Sequence, residues 1–164
     1  MAVGCVEAIA ALANGVLGGW RGVPAGCKRA DVEAVLSPIS APINPSIPGS
    51  GPIRYAATAG APYGLTVHYD ADTVDYITVV APRLDRPADE VLGDPEGRLR
   101  SELEGASEQW VYPRLGLALH RKSESTEVSW LYAFAPTTLD EYQTSPLSRI
   151  RTRRHSVPRT PEEE

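Results

Sequence analysis

The sequence predicts an α+β protein: two tandem helix–antiparallel-meander repeats that form one sheet, or two abutting sheets, with helices on one face. Three observations predict it. Residues 64–82 read GLTVHYDADTVDYITVVAP, and residues 116–136 read GLALHRKSESTEVSWLYAFAP, nearly the same phrase. Both stretches alternate apolar and polar side chains with the period of a half-buried strand. Each is preceded by a short segment with helical spacing of its apolar residues, DVEAVLSP at 31–38 and ADEVLGDP at 88–95.

The elements follow in order. Val3, Val6, Ile9, Ala13 and Val16 recur every three to four residues, the stripe of an amphipathic helix, which Gly18-Gly19 is expected to end. Trp20 then anchors the turn. Residues 29–36 form a shorter helix with Val32, Val35 and Leu36 inward, and Pro38 stops it. Residues 37–53 contain five prolines and read as a loop. Strands are expected at 54–58, 64–69 and 74–81, the last two forming a hairpin around Asp70-Ala71-Asp72. Asp85 is the expected cap of a helix with Pro87 in its first turn and Gly93 just past its end. Residues 94–107 read as irregular or briefly helical. Strands at 109–112, 116–121 and 127–135 complete the second copy. Thr138 and Glu141 have capping-box spacing, so LDEYQT reads as a last helical turn.

Laid together, Gly64-Leu65 matches Gly116-Leu117, His68 matches His120, and Ala81-Pro82 matches Ala135-Pro136. The offset drifts between 57 and 52, with loops taking up the differences. A three-stranded unit of about 50 residues can hardly bury its own sheet, whereas two side by side can. The expected organisation is therefore residues 1–82 as the N-terminal helix and first repeat, 83–145 as the second repeat, and 146–164 as a flexible tail, Arg-rich and then acidic.

Strand alternation sorts the faces. With a three-residue turn, His68 pairs with Val74 and Thr66 with Tyr76; in the second hairpin His120 pairs with Val128 and Ala118 with Trp130. Leu65, Val67, Ile77 and Val79, with Leu117, Leu119, Leu131 and Ala133, then lie under the helices. The opposite face carries Thr66, His68, Tyr76 and Thr78 from one hairpin and His120, Trp130, Tyr132 and Phe134 from the other. Such amphipathic residues concentrate at interfaces. These eight are the predicted partner-binding residues.

The composition limits what that partner is. Hydrophobic residues make up 42% and charged residues 23%, enough apolar content for a core. Residues 1–145 carry a net charge of −7, which argues against nucleic-acid binding by the folded body and favours a basic protein. No apolar run is long enough for a membrane span. No signal peptide is visible in this numbering, so a cytoplasmic location is expected and Cys5 and Cys27 are read as free thiols. No catalytic constellation, metal-ligand spacing or phosphate loop is present, so no cofactor and no metal are predicted. Arg121 is expected to pair with Glu127 across the second hairpin.

The pattern resembles the fold shared by beta-lactamase inhibitor proteins and the small outer-membrane assembly lipoproteins. Their units carry a G-x-T/S-x-x-D-V-x-x-L-L-G-x-P helix before a meander, here GCKRADVEAVLSP and DRPADEVLGDP. Lys28 and Ser37 depart from it. The resemblance implies that the aromatic sheet face grips a protein. The expected function is thus a non-catalytic, inhibitor- or immunity-like binding module. The alternative is a small enzyme or ligand-binding domain with a pocket between the repeats, built on His68 and His120.

Overall fold

The computed structural model describes residues 3–18, 20, 27–38, 52–101, 107–122, 127–145 and 147. The tail read at 146–164 lies outside them apart from Leu147, as does most of the proline-rich loop and all of the basic tail with His155. Helices α1 (Val3–Asn14) and α2 (Arg29–Leu36) precede strands β1 (Ile53–Tyr55), β2 (Leu65–Asp70) and β3 (Thr73–Val80). Helix α3 (Ala88–Leu92) leads to β4 (Gly97–Ser101), β5 (Ser107–Tyr112), β6 (Leu117–Lys122) and β7 (Val128–Phe134), and α4 (Leu139–Thr144) follows. The strands form a single antiparallel sheet of seven in the order β1-β2-β3-β7-β6-β5-β4. The class is α+β, as expected.

Pairing aligns side chains in rows across the sheet. One row runs Tyr55, Leu65, Val79, Leu131, Leu119 and Trp110; the next runs Ile53, Val67, Ile77, Ala133, Leu117 and Tyr112. These rows face α1 and α2, which contribute Ile9, Leu12, Ala13, Val32 and Leu36, all buried. Each fully buried aliphatic side chain there stabilises the fold by about 1.5–3 kcal/mol. Trp20 anchors this layer to the far half of the sheet, its indole N–H donating to the Leu115 carbonyl at 2.8 Å.

Several local expectations are corrected. The registers differ from those assumed: His68 pairs with Tyr76 and Thr66 with Thr78, while His120 pairs with Trp130 and Ala118 with Tyr132. Both registers slip by two residues, and a slip of two leaves every side chain on its predicted face. A bulge follows each histidine, between His68 and Tyr69 and between His120 and Arg121. Residues 97–101 form strand β4 rather than an irregular segment. Pro87, not Asp85, is the cap of α3. In register Arg121 lies between Glu108 on β5 and Val128 on β7, and its guanidinium stacks on Trp110, 3.9 Å from the ring centroid.

Helix α1 ends earlier than Gly18-Gly19. Gly15 adopts φ 73°, the left-handed conformation that closes a helix, and Val16 beyond it is 40% exposed. The strand-to-strand loop caps this end: the Gly60 N–H donates to Ala13 O at 2.8 Å and the Thr58 hydroxyl to the same oxygen at 2.6 Å. The two glycine backbones touch, so that a Cβ on Gly60 falls 2.0 Å from Gly15 N. Cys27 is buried and disulfide-bonded, which corrects the reading of free thiols.

Two outcomes are expected. Gly60→Ala forces apart two backbones that have no flexible atom to yield, and urea denaturation should show a loss of about 3 kcal/mol. Reduction with dithiothreitol should lower the stability by about 2–4 kcal/mol, the usual contribution of a native disulfide; an unchanged urea midpoint would count against the bridge.

Candidate functional site

The second face of the sheet is built from three rows. His68, Tyr76 and Phe134 form the first; Arg54, Thr66, Thr78, Tyr132, Ala118, Val111 and Gly97 the second; Val80, Trp130, His120, Gln109 and Leu99 the third. The eight residues predicted for partner binding therefore do share one face.

Helix α4 divides that face. It was expected as a terminal turn, and Thr138 caps it, its hydroxyl accepting from the Glu141 N–H at 3.1 Å. It packs on the second face, opposite α1 and α2, so the helices do not all lie on one side. Tyr142 is its anchor. Its ring lies against Phe134 with centroids 5.1 Å apart, among Val111, Ala118 and Tyr132, and its hydroxyl donates to Gln109 Oε1 at 2.7 Å. Burial pushes the Tyr142 hydroxyl pKa upward, with the Tyr132 hydroxyl adding to the rise. Small residues help make the seat: Ala118 packs in the same cluster, and a Cβ on Gly97 would strike Leu139 at 2.6 Å.

Under this cover Tyr132, Phe134 and His120 are buried, with Thr78 at the boundary. Thr66, His68, Tyr76 and Trp130 remain half-exposed, joined by Val80. The face is thus closed over β5, β6 and β7 and open over β2, β3 and the start of β7.

His68 is the chemical centre of the open half. Its ring stacks on Tyr76 with centroids 4.1 Å apart and planes 11° from parallel, and Nε2 shares a hydrogen bond with the Thr78 hydroxyl at 3.3 Å. Burial lowers its pKa to about 4, so the imidazole is neutral near pH 7. The Tyr76 hydroxyl is pushed up by burial and then by the Asp75 carboxylate. Asp75 is itself raised, by burial and then by Asp70.

The structure does not bring His68 and His120 together. Their strands are separated by β3 and β7, about 14 Å across the sheet at the usual strand spacing. They also stand in different rows, four residues apart along β3. Among the described residues no cluster of three or more His, Cys, Asp or Glu is placed to hold a metal ion. None of the helices among them is long and apolar enough to cross a membrane.

Where the open half meets α4, Asp75, Tyr76, Phe134, Pro136, Tyr142 and Leu147 line a pocket of about 330 Å³, with Glu141 at its helical wall. Sequence reasoning missed this pocket and Tyr142. The signal available was the apolar Leu139 and Tyr142 spaced by three within the capped turn, beside a glycine-started strand.

No protein-family model and no curated protein matches the chain. Among solved structures it is similar to a DUF4309 family protein (YjgB) from Bacillus subtilis, at 15% identity and a TM-score of 0.46, over 80% of this chain and 95% of that one.

The neutral histidine has a consequence for stability. The unfolded chain protonates His68 near pH 6.5, whereas the folded chain resists protonation down to about pH 4. Its stabilising effect is complete above the unfolded pKa and is lost as the pH falls through that window. Urea midpoints at about pH 7.5 and about pH 5 should differ more for the native chain than for His68→Gln. Parallel profiles would mean that His68 is not held neutral by the fold.

Proposed function

We propose that the protein is a non-catalytic protein-binding module that docks a partner on the open half of the sheet's second face. One observation carries the reading: α4 closes half of the aromatic face and leaves Thr66, His68, Tyr76, Val80 and Trp130 contiguous and half-exposed. A neutral imidazole stacked on a tyrosine can be covered at little desolvation cost, unlike a charged one. Aromatic side chains with a polar end are the usual anchors of protein interfaces. The surrounding charge favours a basic partner, since Asp70, Asp75, Asp140 and Glu141 are exposed and the whole chain carries −5.

The same reading treats the two meanders as copies of one inhibitor-like unit. With the offset of 54 that aligns Ala81-Pro82 with Ala135-Pro136, Thr78 corresponds to Tyr132, and these two are cross-strand partners at the middle of the sheet. The disulfide at Cys27 favours an oxidising compartment over the cytoplasm expected from the sequence.

The test is affinity capture from source lysate, followed by calorimetry with the purified partner. The native chain and a Glu33→Arg control on the exposed side of α2 should bind one stoichiometric protein. Thr66→Arg/Trp130→Ala should weaken that complex by roughly a hundredfold. A partner held with unchanged affinity by the double variant would overturn the reading.

A further inference from the structure

Resting on this docking surface, we infer that the pocket beside α4 receives one arginine or lysine side chain of the partner. The pocket opens next to Tyr76, the residue that stacks on His68, so it continues the docking strip. Its volume of about 330 Å³ lies at the small end of ligand pockets, room for one long side chain and not for an element of structure.

Its walls fit that side chain from stem to head. Phe134, Pro136 and Leu147 give apolar surface on which the methylenes of a long basic residue lie. Tyr76, Phe134 and Tyr142 present rings, whose faces attract a cation. Asp75 and Glu141 bring a carboxylate from each wall, one on β3 and one on α4, both exposed. No lysine or arginine lines the pocket, and among the described residues neither carboxylate makes an ion pair. Asp75 also feels the charge of Asp70, which a cation would relieve. Aromatic walls with two carboxylates favour an ammonium or guanidinium group over an apolar anchor, which would leave both carboxylates beside a dry surface.

The probe is the tripeptide acetyl-Gly-Arg-Gly-amide, titrated into the full chain and followed by amide chemical shifts. Its lysine counterpart and its uncharged citrulline isostere are titrated in parallel. The charged peptides should shift Asp75, Tyr76, Glu141 and Tyr142 saturably, and citrulline should bind about tenfold more weakly or worse. Asp75→Asn/Glu141→Gln should lose the same factor while keeping its fold, because the amide oxygen that replaces the Glu141 carboxylate can still accept from the Thr137 hydroxyl. Equal binding of the citrulline peptide, or no shift at the pocket, overturns the inference. The two readings fail separately. A captured partner held at native affinity by Asp75→Asn/Glu141→Gln removes the pocket and leaves the docking strip. A partner held at native affinity by Thr66→Arg/Trp130→Ala removes the strip on which the pocket depends.

Discussion

The antiparallel pairing of β3 with β7, from Tyr76 opposite Phe134 to Val80 opposite Trp130, is the contact on which the remaining architecture depends. It is the seam between β1–β3 and β4–β7, and every row of side chains that crosses the sheet crosses it. Without it each meander would be a small sheet with one long bare edge and too little apolar surface to repay the ordering of its backbone. With it, Ile77 and Val79 continue into Ala133 and Leu131, and α1 and α2 cover one unbroken layer. The same pairing sets Tyr76 beside Phe134 on the opposite face. That is how the pocket walls come together from residues far apart in the chain.

The two faces answer to different physics. The helix face is mostly aliphatic, with Tyr55, Trp110 and Tyr112 at the ends of its rows, and is closed mainly by packing. The second face carries groups that need partners, and α4 satisfies part of it: the hydroxyl of Tyr142 reaches Gln109, its ring packs in one cluster with Ala118, and Leu139 sits over Gly97. What α4 leaves uncovered is built to change state at little cost. His68 is neutral and stacked, and Thr78 supports it from the next strand. A surface of that kind is compatible with water and with a protein, as the proposed docking requires.

Much of this was legible in the sequence, for identifiable reasons. The alternation in LTVHYD and YITVV assigns faces without any knowledge of register, because a slip of two residues preserves them. That is why the shifted registers moved every predicted pair and displaced no side chain from its face. Helix α2 was legible from its stripe and from Pro38. Strand β4 was not, since Gly-Arg-Leu-Arg-Ser has neither β-branched residues nor an apolar face to announce it. The cover by α4 was equally silent: a six-residue helix has a readable cap, but nothing local says on which side of a sheet it will land. The end of α1 was misplaced because Gly15, Gly18 and Gly19 all qualify as stops, and only the approach of Gly60 selects the first. The disulfide of Cys27 was undecidable from two cysteines and their spacing.

The order of the sheet also fixes how the molecule meets its own copies. A sheet that does not close has two outer strands, and each exposes backbone groups on which another chain can template. Here both are poor templates. Strand β1 is three residues long and is entered from Pro52, which offers no N–H. Strand β4 is five residues long and carries Arg98 within its short run, so an incoming copy would bring a second positive charge against the first. Among the described residues, the fold that joins two marginal sheets into one thereby leaves blunt, charged or proline-guarded rims, which disfavour edge-to-edge aggregation.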